Sequence, residues 1–421
     1  MSIFVFRNAN VLDLDAGGLI EGMDVVVADG AIADVGRGLA EPVGTDAVFD
    51  LHGMTLMPGM IDCHVHVMAS SVNLGLSARL PNALAVIRAL PILKGMLSRG
   101  FTSVRDAGGG DWALSQASKE WLIESPRLFP SGKALSQTGG HGDFRARSDQ
   151  LESCACSFRL GNIGRVADGV DAVRLAAREE LTKGATQIKV MASGGVTSPN
   201  DPIGNTGYSM EELRAIVAEA DAWQTYVMAH AYTPKAIQRA VQAGVRTIEH
   251  GNLVDEPTAQ LLKSSKVFVV PTLITFDMLS LEGAQLGLPP ESIAKVDDVR
   301  LAGRDAIALL YRVGVKMGFG SDLLGESHRH QSEELRVRAE IVGNLEALRS
   351  ATTTASEIVQ HSGRLGVVRP GAIADLLIVK GNPLQDIGVL TGQGEGLAAV
   401  MKDGRFFKNE MTARTSTAKA A

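Results

Sequence analysis

The chain reads as an α/β protein: a (β/α)8 TIM-like barrel with a small β-sandwich domain formed from both chain ends. Two observations predict this. First, amphipathic helical runs end on a glycine and a short apolar strand follows almost at once. This happens at Gly100 before Thr102-Ser103-Val104, at Gly184 before Gln187-Ile188-Lys189-Val190, at Gly244 before Thr247-Ile248-Glu249-His250, and at Gly314 before Lys316-Met317-Gly318-Phe319. Glycine suits the left-handed position just past a helix end, so each is an α-to-β joint, and repeated alternation of helix and strand is the mark of βα units. Second, β-rich sequence without helices is confined to the two ends of the chain.

Taken in order, Phe4-Val5-Phe6 and Asp24-Val25-Val26-Val27-Ala28 are β-rich runs, and Asp29-Gly30 is a favoured hairpin turn before Ala31-Ile32-Ala33-Asp34-Val35. From Thr55 the texture changes. Eight strand-like runs follow, at 56–67, 102–106, 127–131, 187–191, 226–230, 247–250, 267–272 and 316–321, the number that closes a βα barrel. After a helix near Ser356, strand character returns in Ala374-Asp375-Leu376-Leu377-Ile378-Val379 and Ala398-Ala399-Val400-Met401. The expected division is 1–55 with 367–411 as the small β domain and 56–366 as the barrel. The small, polar residues 412–421 are expected to be a disordered tail.

At 421 residues the chain is longer than one hydrophobic core sustains, which agrees with a barrel plus a second domain. Its 46 glycines fit a fold with many connections. A net charge of −6 supplies no basic surface for nucleic acid or anionic membrane, so the expected partner is a small-molecule substrate. With only three cysteines and no basic-then-apolar leader, the sequence predicts a cytoplasmic, reducing setting. Cys63 is expected to pack, and Cys154 and Cys156 receive no function.

Barrel active sites lie at the C-terminal ends of the strands, so strand-end residues form a shortlist. The first run ends in Pro58-Gly59-Met60-Ile61-Asp62-Cys63-His64-Val65-His66. Side chains at i and i+2 of a strand share a face, so His64 and His66 present two imidazoles to one point, as a metal site requires. A lone His-x-His is equally a surface pair or two hydrogen-bonded core histidines. Its company matters: Lys189 lies in the fourth run, His230 ends the fifth, His250 ends the sixth, and Asp322 follows the eighth. A lysine inside Gln187-Ile188-Lys189-Val190-Met191 is costly to bury as an ammonium and needs either a carboxylate partner or a chemical change. Singly, His230 and His250 read as core histidines and Asp322 as a helix cap. Together, six such residues on one rim point to one site.

These motifs, with the later Gly320-Ser321-Asp322, strongly resemble the amidohydrolase superfamily in its two-metal branch with a carboxylated bridging lysine, over nearly the whole chain. The run Lys-Val-Met-Ala-Ser-Gly-Gly-Val-Thr-Ser-Pro-Asn-Asp-Pro from Lys189, with His230-Ala231-Tyr232 and the Ser321 to Gln331 segment, is similar to the prolidase and imidazolonepropionase-like subgroup. Members of that subgroup cleave dipeptides with proline or other C-terminal residues. Close relatives hydrolyse N-acyl amino acids such as the phenylalanine amide of ochratoxin.

The resemblance implies that His64, His66 and Asp322 hold a first divalent ion and His230 and His250 a second, zinc being expected at both. Lys189, carboxylated by carbon dioxide, would bridge them. A shared hydroxide would attack the amide carbonyl, with Asp322 carrying its proton to the leaving nitrogen. His141, in Thr138-Gly139-Gly140-His141-Gly142-Asp143, would contact the carbonyl, and Tyr232 would hold the substrate α-carboxylate. His328 and His330, in the loop after the eighth strand, are candidates to line the pocket, the alternative being solvated loop histidines. His52 and His361 read as structural. The subgroup tends toward homo-oligomers, including octamers. Single-metal deaminases of the superfamily carry a glutamate soon after the fifth-strand histidine, and His230-Ala231-Tyr232-Thr233-Pro234-Lys235 has none. The competing readings are a cyclic amide or imidazolone hydrolase on the same centre and a non-catalytic scaffold.

Overall fold

The computed structural model describes residues 2–145, 159–198 and 201–414. Cys154, Cys156 and residues 415–421 of the expected tail lie outside the described residues. The chain begins with β1 (Ile3–Asp13), β2 (Gly18–Ala28), β3 (Ala31–Gly36), β4 (Ala47–Asp50) and β5 (Thr55–Pro58). β1 and β2 form a long antiparallel pair from Ile3↔Ala28 to Asp13↔Gly18. The Asp29-Gly30 turn then leads into β3, both turn residues having positive φ, as the tight hairpin requires.

At Gly59 the chain leaves this sheet for the barrel, and here the structure corrects the sequence reading. The run 56–67, expected to be one strand, is two: β5 and β6 (Met60–Val65). A Cβ at Gly59 would lie 2.1 Å from Thr102 Oγ1, so only glycine lets the crossing pass this close to the neighbouring strand. Nothing in an apolar run announces such a tertiary contact.

The barrel continues through β7 (Phe101–Asp106), β8 (Arg127–Phe129), β9 (Ala134–Ser136), β10 (Gly164–Val166), β11 (Ile188–Met191), β12 (Val227–Ala231), β13 (Thr247–His250) and β14 (Phe268–Val270). Parallel pairing runs β6-β7-β8 and β11-β12-β13-β14. The stretch 316–321 closes the ring: it bonds to β14 through Val269 N–H→Lys316 O (3.1 Å) and to β6 through Cys63 N–H→Phe319 O (2.8 Å). On the other side Thr186 N–H reaches Pro130 O beyond β8 at 2.7 Å. The parallel pair β9 and β10 is additional to the eight expected strands, β9 meeting β11 at Leu135↔Val190. Gly100, Gly184, Gly244 and Gly314 all have φ between +83° and +98°, the left-handed geometry expected at the four joints.

The chain then returns as β15 (Leu376–Val379), β16 (Leu397–Lys402), β17 (Arg405–Asn409) and β18 (Ala413–Arg414). The sheet order is β17-β16-β15-β5-β1-β2-β3, with β4 beside β1 and β18 beside β4. Both chain ends therefore build one small β domain, as expected, and the β18 pairing shows that structure extends past residue 412, where the tail was expected to begin. Its core contains Phe6, Val25, Val27, Phe49, Leu56, Leu376, Ile378 and Met401. Phe6 stacks on Phe49 at 5.7 Å, and Phe406 meets Phe49 edge-on at 5.5 Å. Outside the barrel, helices such as Val170–Thr182, Met210–Ala222 and Pro234–Ala243 lay alanine and aliphatic faces on the strands. Among the described residues no helix is long and apolar enough to cross a membrane.

Candidate active site

The barrel brings the six rim residues to one cavity, lined by His64, His66, Lys189, His230, His250 and Asp322 together with His141 and Tyr232. The pairing register makes this inevitable: Met191 stands opposite His230, and Ala231 opposite His250. The imidazole of His250 lies 4.8 Å from that of His64 and 4.7 Å from that of His230. One potential ligand atom each from His64, His250 and Asp322 lie within 4.8 Å of one another. An Asp322 oxygen is 3.4 Å from His64 Nε2 and 3.3 Å from His66 Nε2. His250 and Asp322 adopt φ of +73° and +52°, a conformation costly for residues with a Cβ and frequent where surrounding structure fixes a functional side chain.

Every rim histidine has one ring nitrogen fixed by the protein. His64 Nδ1 lies 2.8 Å from Glu249 Oε2, His66 Nδ1 lies 3.0 Å from Gly108 O, His250 Nδ1 lies 2.8 Å from Thr272 Oγ1, and His230 Nε2 lies 3.0 Å from Gly194 O. That arrangement sets ring orientation and leaves the second nitrogen for a ligand, as in metal sites with organised outer partners. His64 Nε2 is buried with no hydrogen-bond partner. A buried orphaned nitrogen beside a carboxylate and three more imidazoles matches the nitrogen and oxygen donor set that zinc-type ions favour.

Beneath the rim runs a buried charge network that the sequence reading missed. Arg105, fully buried, donates from Nη2 to both oxygens of Glu249 at 2.9 Å and from Nε to Cys63 O at 2.6 Å. Thr247 Oγ1 donates to Glu249 Oε1 at 2.6 Å. Against desolvation, which would raise it, Arg105 and then His64 bring the Glu249 carboxyl down to about 2. The sequence signal for Glu249 is the one that marks Lys189, a charged residue inside an apolar strand run, but the neighbouring His250 masks it.

Asp62 forms a second support. It accepts from His64 N–H at 3.0 Å, Ser321 Oγ–H at 2.5 Å and Gln331 Nε2 at 2.9 Å, tying β6 to the eighth strand.

Electrostatics of the cavity follow from burial and neighbours. Desolvation brings the Lys189 ammonium down to about 8 although Glu249 and Asp322 oppose it, and among the described residues it has no hydrogen bond or ion pair. Desolvation also holds His230 and His250 well below the usual histidine range, so both are neutral with a lone pair to offer. Asp322 is held well below the carboxylate range: desolvation works against this, but His64, His66 and His250 outweigh it. Burial, and then Asp322 and Asp201, keep the Tyr232 hydroxyl protonated.

His141 stacks on His230 at 4.3 Å, and its Nδ1 lies 2.8 Å from Ser198 Oγ, which also contacts Asp201. The loop carrying Ser198 and Asp201 is fastened by Lys295, on the helix Pro290–Val313, whose ammonium donates to Gly195 O at 2.5 Å, Ser198 O at 2.7 Å and Asp201 O at 3.3 Å. The remaining cavity walls are apolar, among them Leu74, Met191, Val196, Phe276 and Leu279.

His328 and His330 do not join these walls. Both lie on the 3-10 turn Gly325–His330, where His330 pairs with Glu282 at 3.2 Å and His328 lines a separate groove. The turn, which begins at the left-handed Gly325 and packs against the helix Asn82–Ser98, carries the segment away from the cavity walls.

Comparison with known proteins agrees with this geometry. The family model described as "Amidohydrolase family" matches residues 55–407. The chain is 32% identical over 369 residues to the ochratoxinase of Aspergillus niger, covering 84% of this chain and 75% of that protein. A crystal structure of a prolidase complexed with N-methylphosphonate-L-proline superposes with a TM-score of 0.95 at 60% identity, covering 97% of this chain and all of that one. A Xaa-Pro dipeptidase with methionine bound in its active site superposes with a TM-score of 0.85 at 27% identity, covering 97% of this chain and 100% of that one. On the strength of the family match across the barrel and of these relatives, the chain belongs to the amidohydrolase family.

Proposed function

We propose that this hydrolase cleaves the amide bond of dipeptides, of the Xaa-Pro type or similar, or of N-acyl amino acids that carry a free C-terminal carboxylate. The observation that carries this reading is the pairing of the six-residue rim donor set with a narrow cavity that has apolar walls and, beyond the rim, the polar groups of His141, Thr197 and Tyr232. This reading is supported by the similar prolidase, complexed with N-methylphosphonate-L-proline, and by the similar protein named an ochratoxinase.

In this reading His64, His66 and Asp322 would hold one divalent ion and His230 and His250 a second, with a carboxylated Lys189 as a further oxygen donor. When bound, the ions supply an acidified water and polarise the scissile carbonyl. Burial lowers the Lys189 amine and so favours its neutral form, whose lone pair would attack carbon dioxide with loss of one proton to solvent, and the resulting carbamate would replace a buried unpaired cation with an anionic oxygen donor. Asp322, kept ionised by the histidines and partly exposed to the cavity, accepts a proton and delivers it to the departing nitrogen. His141, oriented through Nδ1 by Ser198, presents its other nitrogen to the developing oxyanion. The neutral Tyr232 hydroxyl, on the cavity wall, would receive the substrate α-carboxylate, the role that the family resemblance implies for it.

A kinetic panel of dipeptides, N-acyl amino acids and cyclic amides tests the proposal. Turnover of the first two classes is expected. Activity confined to ring substrates would transfer the site to cyclic amide hydrolysis, and a preparation with full metal content that cleaves nothing would make the barrel a scaffold.

A further inference from the structure

A second concavity opens on the outer side of the rim, between the helix Asn82–Ser98 and the turn Gly325–His330, with a volume of about 610 Å³. Arg88, Ile92, Gly95 and Arg99 line it at spacings that place them on one helix face. Arg329 and His328 face them from the turn, and Gln393 closes one end.

Arg99 is 3% exposed, yet among the described residues it has no carboxylate partner. Its Nε and Nη2 donate to Gln331 Oε1 at 3.2 and 3.1 Å, and its Nη1 donates to Gln393 Oε1 at 3.0 Å. Three of the five guanidinium N–H groups are thus used, all on neutral amide oxygens, and among the described residues the only charge that offsets the buried guanidinium is Asp62 beyond Gln331, which does not touch it. The adjacent His328 is 4% exposed and has no hydrogen-bond partner on either ring nitrogen. Desolvation, and then Arg99, bring its imidazole down to about 3, so it is neutral and retains a free N–H. Arg88, on the exposed lip, has no ion pair among the described residues. Gly95 makes room for the charge: a Cβ there would come within 3.0 Å of Arg99 Nη1. The groove therefore combines a buried fork of donors, an unpartnered imidazole and a free arginine at its mouth, with Glu326 as the one carboxylate in its lining.

We propose that this groove is a binding site for a small oxyanion, a phosphate or a carboxylate, seated on Arg99 and Arg88. Such an ion accepts paired hydrogen bonds from a guanidinium edge and brings a negative charge into contact with it. It would also touch the active centre at one remove. Arg99 donates to Gln331, Gln331 donates to Asp62 at 2.9 Å, and Asp62 accepts from His64 N–H.

The test is isothermal titration calorimetry of the metal-loaded enzyme with inorganic phosphate and, separately, with acetate. It is run on the wild type, Arg99→Gln, Arg88→Ala and Asp322→Asn, the last reporting any anion held at the metal centre. The expected result is saturable binding that survives Asp322→Asn and weakens about tenfold in a folded arginine variant. The tighter of the two anions then identifies the ligand class. If Arg99→Gln does not fold, the exposed Arg88→Ala decides. No saturable binding, affinity unchanged in the arginine variants, or binding lost only in Asp322→Asn would overturn the proposal.

Discussion

The small β domain and the barrel rim are both fully buried at their centres, but they are held by opposite means. In the small domain, Phe6, Phe49 and Phe406 pack ring against ring within a core of valine, leucine and isoleucine. Under the rim, Arg105 and Glu249 are both completely buried, and their contacts end on His64. Apolar packing is tolerant: it loses stability gradually as volume is lost. A buried ionic network is not tolerant, because removing one partner leaves the other uncompensated in a low-dielectric interior. The difference teaches that the rim accepts an energetic cost in exchange for fixed imidazole directions, whereas in the small domain the buried Lys402 is satisfied by Ser118 and Ser125 and orients no imidazole.

The strongest way to break this contrast is at the cavity itself. Lys189→Ala should abolish turnover and lower metal content, with partial rescue by short-chain carboxylic acids. Metal analysis checks it, and unaltered metal content would contradict the bridging role. Next, Glu249→Gln should weaken metal affinity by about 10- to 100-fold while the small domain stays folded, measured by competition with a chelator. The same carboxyl has a folded pKa of about 2, below its unfolded value of 4.5. Its stabilisation is therefore present above pH 4.5 and is lost as the pH falls through about 2, so acid unfolding over that window should be shallower in Glu249→Gln.

A smaller effect is expected where the two regions meet. Gly59→Ala places a methyl on Thr102 and should cost about 1–3 kcal/mol in chemical denaturation, with metal affinity falling as β6 shifts. The smallest functional effect belongs to Phe406→Ala. It should lower the melting temperature while leaving kcat/KM and metal content unchanged, and a change in either kinetic or metal behaviour would erase the proposed division between the regions.

The sequence reading reached the rim because chemistry and punctuation coincided there. His64, His66, Lys189, His230, His250 and Asp322 each end or interrupt an apolar run, and the four joint glycines mark where the strands begin. What stayed hidden was set by contacts distant in sequence. Arg105 and Glu249 are 144 residues apart, and neither sits in a motif that demands the other. The break at Gly59 depends on Thr102, which no local pattern couples to it. Closeness to Asp322 in sequence makes His328 a candidate for the cavity, with a solvated loop as the alternative, but the left-handed Gly325, which brings its turn against Ser71 and Val72, sends the chain to the outer groove.

Among the described residues, Lys295 holds the loop over the cavity by hydrogen bonds to three main-chain oxygens and to no side chain of that loop. Every amino acid carries such an oxygen. Side chains along the loop that face substrate, Val196 and Thr197 among them, are thus free to change without loosening the grip that positions them. For laboratory evolution this makes Val196 and Thr197 natural library positions: their posture is set by the backbone, while Ser198 and Asp201, which orient His141, stay fixed.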